Sequence, residues 1–238
     1  MATILNIETS TEVCSVALTA DGQVLGHHEN YDGHTHSTLL SAFVRDELHY
    51  VRSRELHLDA VAVSVGPGSY TGLRIGLSQA KGLAYGLGVP LIGVGTLPLL
   101  AVTAMFGDFY DDNVLFVPMI DARRMEIYTA AYDAALHPVL EPQPMILEPD
   151  ALDMLSHPLV VVGNGAEKAK AVINRPGTRF LPDVKPVALN MMALAEKAFR
   201  EQDFIDVAYS TPFYLKDFQA TKPKNKVLTA SITNNQAL

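Results

Sequence analysis

The sequence predicts an α/β fold with mixed sheets flanked by helices. Short β-rich runs alternate with segments of helical periodicity, and an Asp-Gly step joins two of the early runs as a hairpin. The same order of elements begins again near residue 113, which implies an internal structural duplication without a residue-level repeat.

Each element has its own signal. Residues 3–10, 13–21 and 23–30 are β-rich, and Asp21-Gly22 between the last two favours a tight turn. Over 36–51, Leu40, Phe43, Val44, Leu48 and Val51 recur on one helical face. The run 59–65 is continuously apolar and ends at Gly-Pro-Gly, as a strand covered on both faces would. A helix over 71–87 and a buried strand over 90–96 follow. In the second half, 113–123 and 125–135 pair as a hairpin and 142–149 makes a third strand. A short helix over 150–156, a strand over 158–165 and helices over 166–174 and 189–202 complete the pattern. The end of the chain has no periodicity and reads as loosely ordered.

Composition limits the function. With 48% hydrophobic and 18% charged residues the chain can bury a core. A net charge of -8 argues against gripping nucleic acid unaided, because phosphate contacts need a basic surface. The single cysteine, Cys14, lies in an apolar run and cannot form an internal disulfide. The first ten residues lack a basic start and a long apolar stretch, so no signal peptide is expected. No apolar run approaches the ~20 residues that a membrane span requires, and the location expected is cytoplasmic.

The most conspicuous segment is "SVGPGSYTGLRIGLSQAKGLA", residues 64–84. It lacks the Gly-Lys-Ser/Thr step of a P-loop, and Thr71 stands where a dinucleotide fingerprint needs its last glycine. Gly68, Gly72, Gly76, Ala80 and Ala84 instead form a stripe of small residues, flanked by Leu73, Leu77, Leu83 and Leu87. Such a stripe suits close packing within the subunit or a helix contact between chains, and both readings stay open. His27, His28, His34 and His36 raise a metal site, but no second ligand cluster accompanies them; His34 and His36 read as exposed or capping residues. Asp121, Arg123 and Arg124 occupy a hairpin turn, as a salt-bridged turn or as polar groups at a cleft between domains. Glu8, Thr9, Ser10 and Thr11 fall in the first hairpin turn.

The blocks "ILNIETSTEVCSVAL", "SVGPGSYTGLRIGLSQAKGLAYGLGVPLIGVGTLPLLA", "MIDARRMEIY" and "FYLK" resemble the bacterial TsaB (YeaZ) family over residues 1 to about 216. The resemblance implies two actin-like, ribonuclease H-like subdomains. The first would span 1–104, completed by 205–220, and a reduced second one 105–204, with a loosely ordered tail over 221–238. It also implies a non-catalytic subunit needed for threonylcarbamoyladenosine at position 37 of tRNAs. The implied partners are the transferase paralogue TsaD, the ATPase TsaE and, through the complex, tRNA, with a homodimer when the chain is alone.

In TsaD the corresponding helix leads into a segment whose two histidines bind the catalytic metal. Here Thr96 and Leu100 stand at those places, and neither replaces imidazole as a ligand. The resemblance therefore implies no metal and no tightly bound cofactor, with ATP or ADP only at the interface of the complex. Glu8, Thr9, Ser10, Gly66 and Gly68 are then candidates for a vestigial nucleotide site, with Glu8 where many members carry Asp. The family pairs through helices corresponding to 36–51 and 71–87, so the expected partner interface comprises Leu40, Phe43, Val44, Gly72, Leu73, Gly76, Leu77, Ala80 and Ala84. Two rivals remain: a small ATP-dependent kinase or acyltransferase of the same superfamily, and a self-associating structural homodimer.

Overall fold

The computed structural model describes residues 2–33 and 35–216. Two five-stranded mixed sheets dominate it. In the first, β1 (Thr3–Glu8), β2 (Cys14–Ala20) and β3 (Gln23–Asn30) form an antiparallel meander. Asp21 and Gly22 turn β2 into β3 with φ of 56° and 73°, the left-handed pair that a two-residue hairpin requires. Helix α1 (His36–Ser53) then leads to β4 (Ala60–Gly66), α2 (Tyr70–Leu87) and β5 (Leu91–Gly95), giving the order β3-β2-β1-β4-β5. Ser69 caps α2 by accepting a hydrogen bond from the Gly72 N–H at 3.2 Å, and Gly88 ends the helix in the left-handed conformation.

The second sheet repeats this plan with β6 (Leu115–Asp121), β7 (Glu126–Tyr132), β8 (Pro138–Ile146), β9 (Leu159–Val162) and β10 (Thr178–Leu181). Read as β8-β7-β6-β9-β10, its order matches the first sheet strand for strand. Pro138, Pro142 and Pro144 lie in β8, an edge strand, where a missing N–H is tolerated. The duplication expected from the element order is thus present as two sheets of the same connectivity.

The helices decide where the core lies. Leu40, Val44, Val51, Leu77, Ala80 and Ala84 of α1 and α2 pack on Leu5, Ile7, Val16 and Val63, filling one face of the first sheet. Helix α3 (Thr96–Gly107) runs between the sheets: Leu99 joins Ile92 and Val94 of the first, while Leu97, Leu100 and Ala104 join Phe116 and Val160 of the second. A helix covered from several sides has no polar stripe, so "TLPLLAVTAMFG" carries no amphipathic signal; the sequence reading passed over it for that reason. Helix α4 (Ala166–Val172) covers the outer face of the second sheet through Ala166 and Ala169.

Two expectations need correction. The 3-10 turn Ala188–Met191 and helix α5 (Met192–Glu201), expected in the second subdomain, cover the first sheet: Ala188, Met191 and Ala195 pack on Ile4, Ala62 and Ile92. The expected division at residue 204 is therefore displaced, because the open face of the first sheet needs this apolar cover. Residues 150–156 form turns and irregular backbone rather than a helix, and the sequence pattern did not reveal β10. The expected loose tail over 221–238 lies outside the described residues.

After α5 the chain returns to the first sheet as a strap. Ile205 bridges Leu91, and the Phe213 N–H bonds the Val65 carbonyl at 2.7 Å. Lys81 of α2 holds the strap by donating to the Ala208 and Ser210 carbonyls at 3.1 and 2.6 Å. Tyr214 lies against Tyr70 and accepts a hydrogen bond from Arg74 at 3.1 Å.

Candidate functional site: the cleft between the sheets and the outer helix face

A cleft of about 880 Å³ opens between the two halves. One wall is the first hairpin turn and the start of α2, from Ser10 to Glu12 and Pro67 to Gly72; the other is the β6–β7 turn, Asp121 to Arg124, with Tyr128 and Asn164. Strap residues 213–216 close one side.

The vestigial nucleotide candidates do come together, but they hold one another rather than an empty cradle. A Cβ on Gly68 would strike the Ser10 carbonyl, and one on Gly72 the Thr9 carbonyl. The Ser69 N–H donates to the Ser10 carbonyl at 2.7 Å, and the Thr9 hydroxyl donates to the Gly72 carbonyl at 2.9 Å. Gly66 has φ of 114°, and a Cβ there would lie 2.7 Å from the Phe213 carbonyl. The glycines thus admit the chain's own backbone at close range. Within this turn the Ser69 and Gly72 N–H groups are taken up by the Ser10 carbonyl and the Ser69 hydroxyl.

Glu8 is fully buried and lies beneath the turn, outside the cleft lining. Its Oε1 accepts the Ser10 N–H at 2.5 Å. Burial pushes its carboxyl up from 4.5 to about 7, while polar groups of Ser10, Ser64 and Thr9 pull the other way.

The β6–β7 turn combines both readings left open for it. The Asp121 carboxylate accepts the Arg123 N–H at 2.6 Å and pairs with Lys168 at 2.8 Å. Lys168 also donates to the Arg124 and Glu126 carbonyls, and Lys216 of the strap pairs with Glu126. Arg123 and Arg124 both take positive φ, 70° and 50°, and project into the cleft with no ion pair among the described residues.

No group of three His, Cys, Asp or Glu side chains suited to a metal forms among the described residues. His34 lies outside them. His36, expected exposed or capping, is buried at the start of α1 and donates from Nε2 to the Val13 carbonyl at 3.1 Å. Thr96 and Leu100 lie within the core at the start of α3.

The expected partner interface needs correction. Leu40, Val44, Gly72, Leu73, Gly76, Leu77, Ala80 and Ala84 are buried by the subunit itself, and only Phe43 is half-exposed. The stripe serves the first hairpin: a Cβ on Gly76 would strike the Thr9 hydroxyl. The outward side of α2 carries a second small-residue register that the sequence reading missed, Ser78, Gly82 and Gly86, roughly opposite the first at ~100° per residue. A Cβ on Gly82 or Gly86 meets nothing within 4 Å. The signal was present as a repeat of four, masked by the longer stripe beside it.

A tRNA threonylcarbamoyladenosine biosynthesis protein TsaB from Escherichia coli strain K12 is 33% identical over 92% of this chain and 96% of its own length. The chain belongs to the TsaB (YeaZ) family. A second TsaB, from Bacillus subtilis strain 168, is 32% identical over 90% of this chain and 94% of that protein. The solved structure of YeaZ from Pseudomonas aeruginosa has a TM-score of 0.78 at 28% identity, covering 90% of this chain and 100% of that one. Residues 26–226 also match the family model described as TsaD: tRNA N6-adenosine threonylcarbamoyltransferase. The paired sheets are the actin-like arrangement of this TsaB fold.

Proposed function

We propose that this chain is a non-catalytic scaffolding and activating subunit for threonylcarbamoyladenosine formation at position 37 of tRNAs reading ANN codons. It pairs with the transferase TsaD, assembles with the ATPase TsaE and meets tRNA through the complex. The observation that carries the partner role is the outer face of α2. Gly82 and Gly86 each cost a helix about 0.5–1 kcal/mol relative to Ala, and nothing in the described chain approaches them. A partner helix pressed against Ser78, Gly82 and Gly86 gives these residues a purpose. The interface is thereby moved from the inner to the outer side of the same helices.

The glycines of the turn admit the chain's own backbone, which supports a role without nucleotide chemistry of its own, with ATP or ADP belonging to the assembled complex. Transfer of threonylcarbamoyl to tRNA is expected from this chain with TsaD and TsaE, and not from this chain alone. Reconstitution with an activated threonylcarbamoyl donor, labelled in its threonine, checks it. Modification by the isolated chain, or full activity of TsaD and TsaE without it, overturns the reading. In a gel shift, the chain alone is expected to bind tRNA only weakly because of its charge of -8.

A further inference from the structure

We propose that the outer face of α1 and α2 receives an acidic helical surface of its protein partner. The inference rests on the reading above, that this face is the partner face, and adds the chemistry of what it receives.

In a chain of net charge -8, this face is basic. Arg45 and Arg52 are exposed along α1, which exposes only one acid, Asp46, its other acid, Glu47, being buried; α2 contains no acid, and its Arg74 and Lys81 are held by Tyr214 and by the strap carbonyls. Arg45 reaches Asp46 at 3.3 Å, but both are widely exposed and such a pair contributes little. Arg52 has no carboxylate partner among the described residues.

The cations are also arranged. Arg45, His49 and Arg52, at helical spacing, line a groove of about 300 Å³ between the helices, with Leu48, Gln79 and Leu83. A partner helix seated there would bury its apolar side on Leu48 and Leu83 and its backbone on the outward glycines. The arginines along the rim would then face its flanks, where carboxylates are favourable and lysines are not.

Two other occupants fit less well. A nucleic acid would find no Phe, Tyr or Trp lining the groove on which to stack a base. A second copy in a two-fold contact would set the same basic patch against itself.

The test measures affinity for purified TsaD of the same organism by calorimetry at about 50 and about 500 mM NaCl. Binding is expected to weaken roughly ten-fold at the higher salt, since exposed charges are screened over a shorter distance there. The double variant R45E/R52E is expected to lose a similar factor, with an unchanged melting temperature showing that it folds. Self-association of the chain alone, followed by ultracentrifugation, is expected to strengthen with salt. TsaD affinity indifferent to salt and to charge reversal, with G82L still weakening it, overturns this inference while leaving the partner face intact. Wild-type affinity in G82L as well defeats the underlying reading. If R45E/R52E abolishes tRNA binding by the lone chain and leaves TsaD binding intact, the face belongs to RNA and the inference is equally wrong.

Discussion

Glu8 combines two facts that pull in opposite directions. It ends a central strand in a fully buried place, yet it is an acid, and burial raises its carboxyl to about 7 in the folded chain from 4.5. A raised value means that the folded state binds protons more tightly than the unfolded one. The contribution of Glu8 is therefore complete below pH 4.5 and is lost as pH rises through 7. At about 1.4 kcal/mol per pKa unit this amounts to roughly 3 kcal/mol. Glu8→Gln, which keeps an acceptor for the Ser10 N–H, is expected to flatten the dependence of melting temperature on pH between about 5 and 8. It should leave the variant more stable than the wild type above pH 8. A scan of melting temperature against pH checks this, and parallel curves would contradict it. Glu47 has the same sign: burial raises its carboxyl, while His28, 3.4 Å away, and then His27 lower it. Cys14 is pushed up to about 11, first by burial and then by Glu8, which leaves it an unreactive thiol at neutral pH.

Helix α2 has two small-residue faces with different tasks. The inner one, Gly72 and Gly76, lets Thr9 approach the helix backbone, and the outer one, Gly82 and Gly86, faces open space. Gly76→Leu is expected to destabilise the fold by about 1–3 kcal/mol, the usual cost of overpacking, and to leave pairing of the folded molecules unchanged. Gly82→Leu is expected to preserve or slightly raise the melting temperature, because Leu favours a helix over Gly. The same change should weaken TsaD binding by roughly five- to 150-fold if a backbone contact is overpacked by that amount. Thermal unfolding and ultracentrifugation on the two variants separate the faces. A stable Gly76→Leu with lost pairing would reverse the assignment. Such a result would restore the inner stripe as the interface.

At the level of the whole molecule, the strap ties the two halves together. It crosses from Ile205 on β5 along α2 to Tyr214, and ends at Lys216 on Glu126 of the second sheet. Lys81 makes two hydrogen bonds to the strap backbone, and bonds to a charged group contribute about 1.5–3 kcal/mol when well shielded; being partly exposed, these fall at the low end. Lys81→Ala combined with Tyr214→Ala is expected to lower the melting temperature and to open residues 205–216 to proteolysis, with cleavage mapped by mass spectrometry. Unchanged protection would mean that Ile205 and Phe213 suffice to hold the strap. No helix among the described residues is long and apolar enough to cross a membrane.

Local patterns were enough for most of this architecture. The β-rich runs of β2 and β3, the Asp21-Gly22 turn and the apolar faces of α1 and α2 each report on neighbours within one or two turns of chain, and the repeat of element order exposed the duplication. The family blocks likewise survive as short runs. What tertiary structure alone decided depends on distant partners. Helix α3 has no periodicity because sheets on different sides bury it, and α5 covers the first sheet although its nearest strands in sequence form the second. The same holds for the site. A small-residue stripe shows that something approaches a helix closely, but only the position of Thr9 shows that the approach comes from within. Which side of α2 remains for a partner follows from the packing of residues more than sixty positions apart, and no local spacing encodes that.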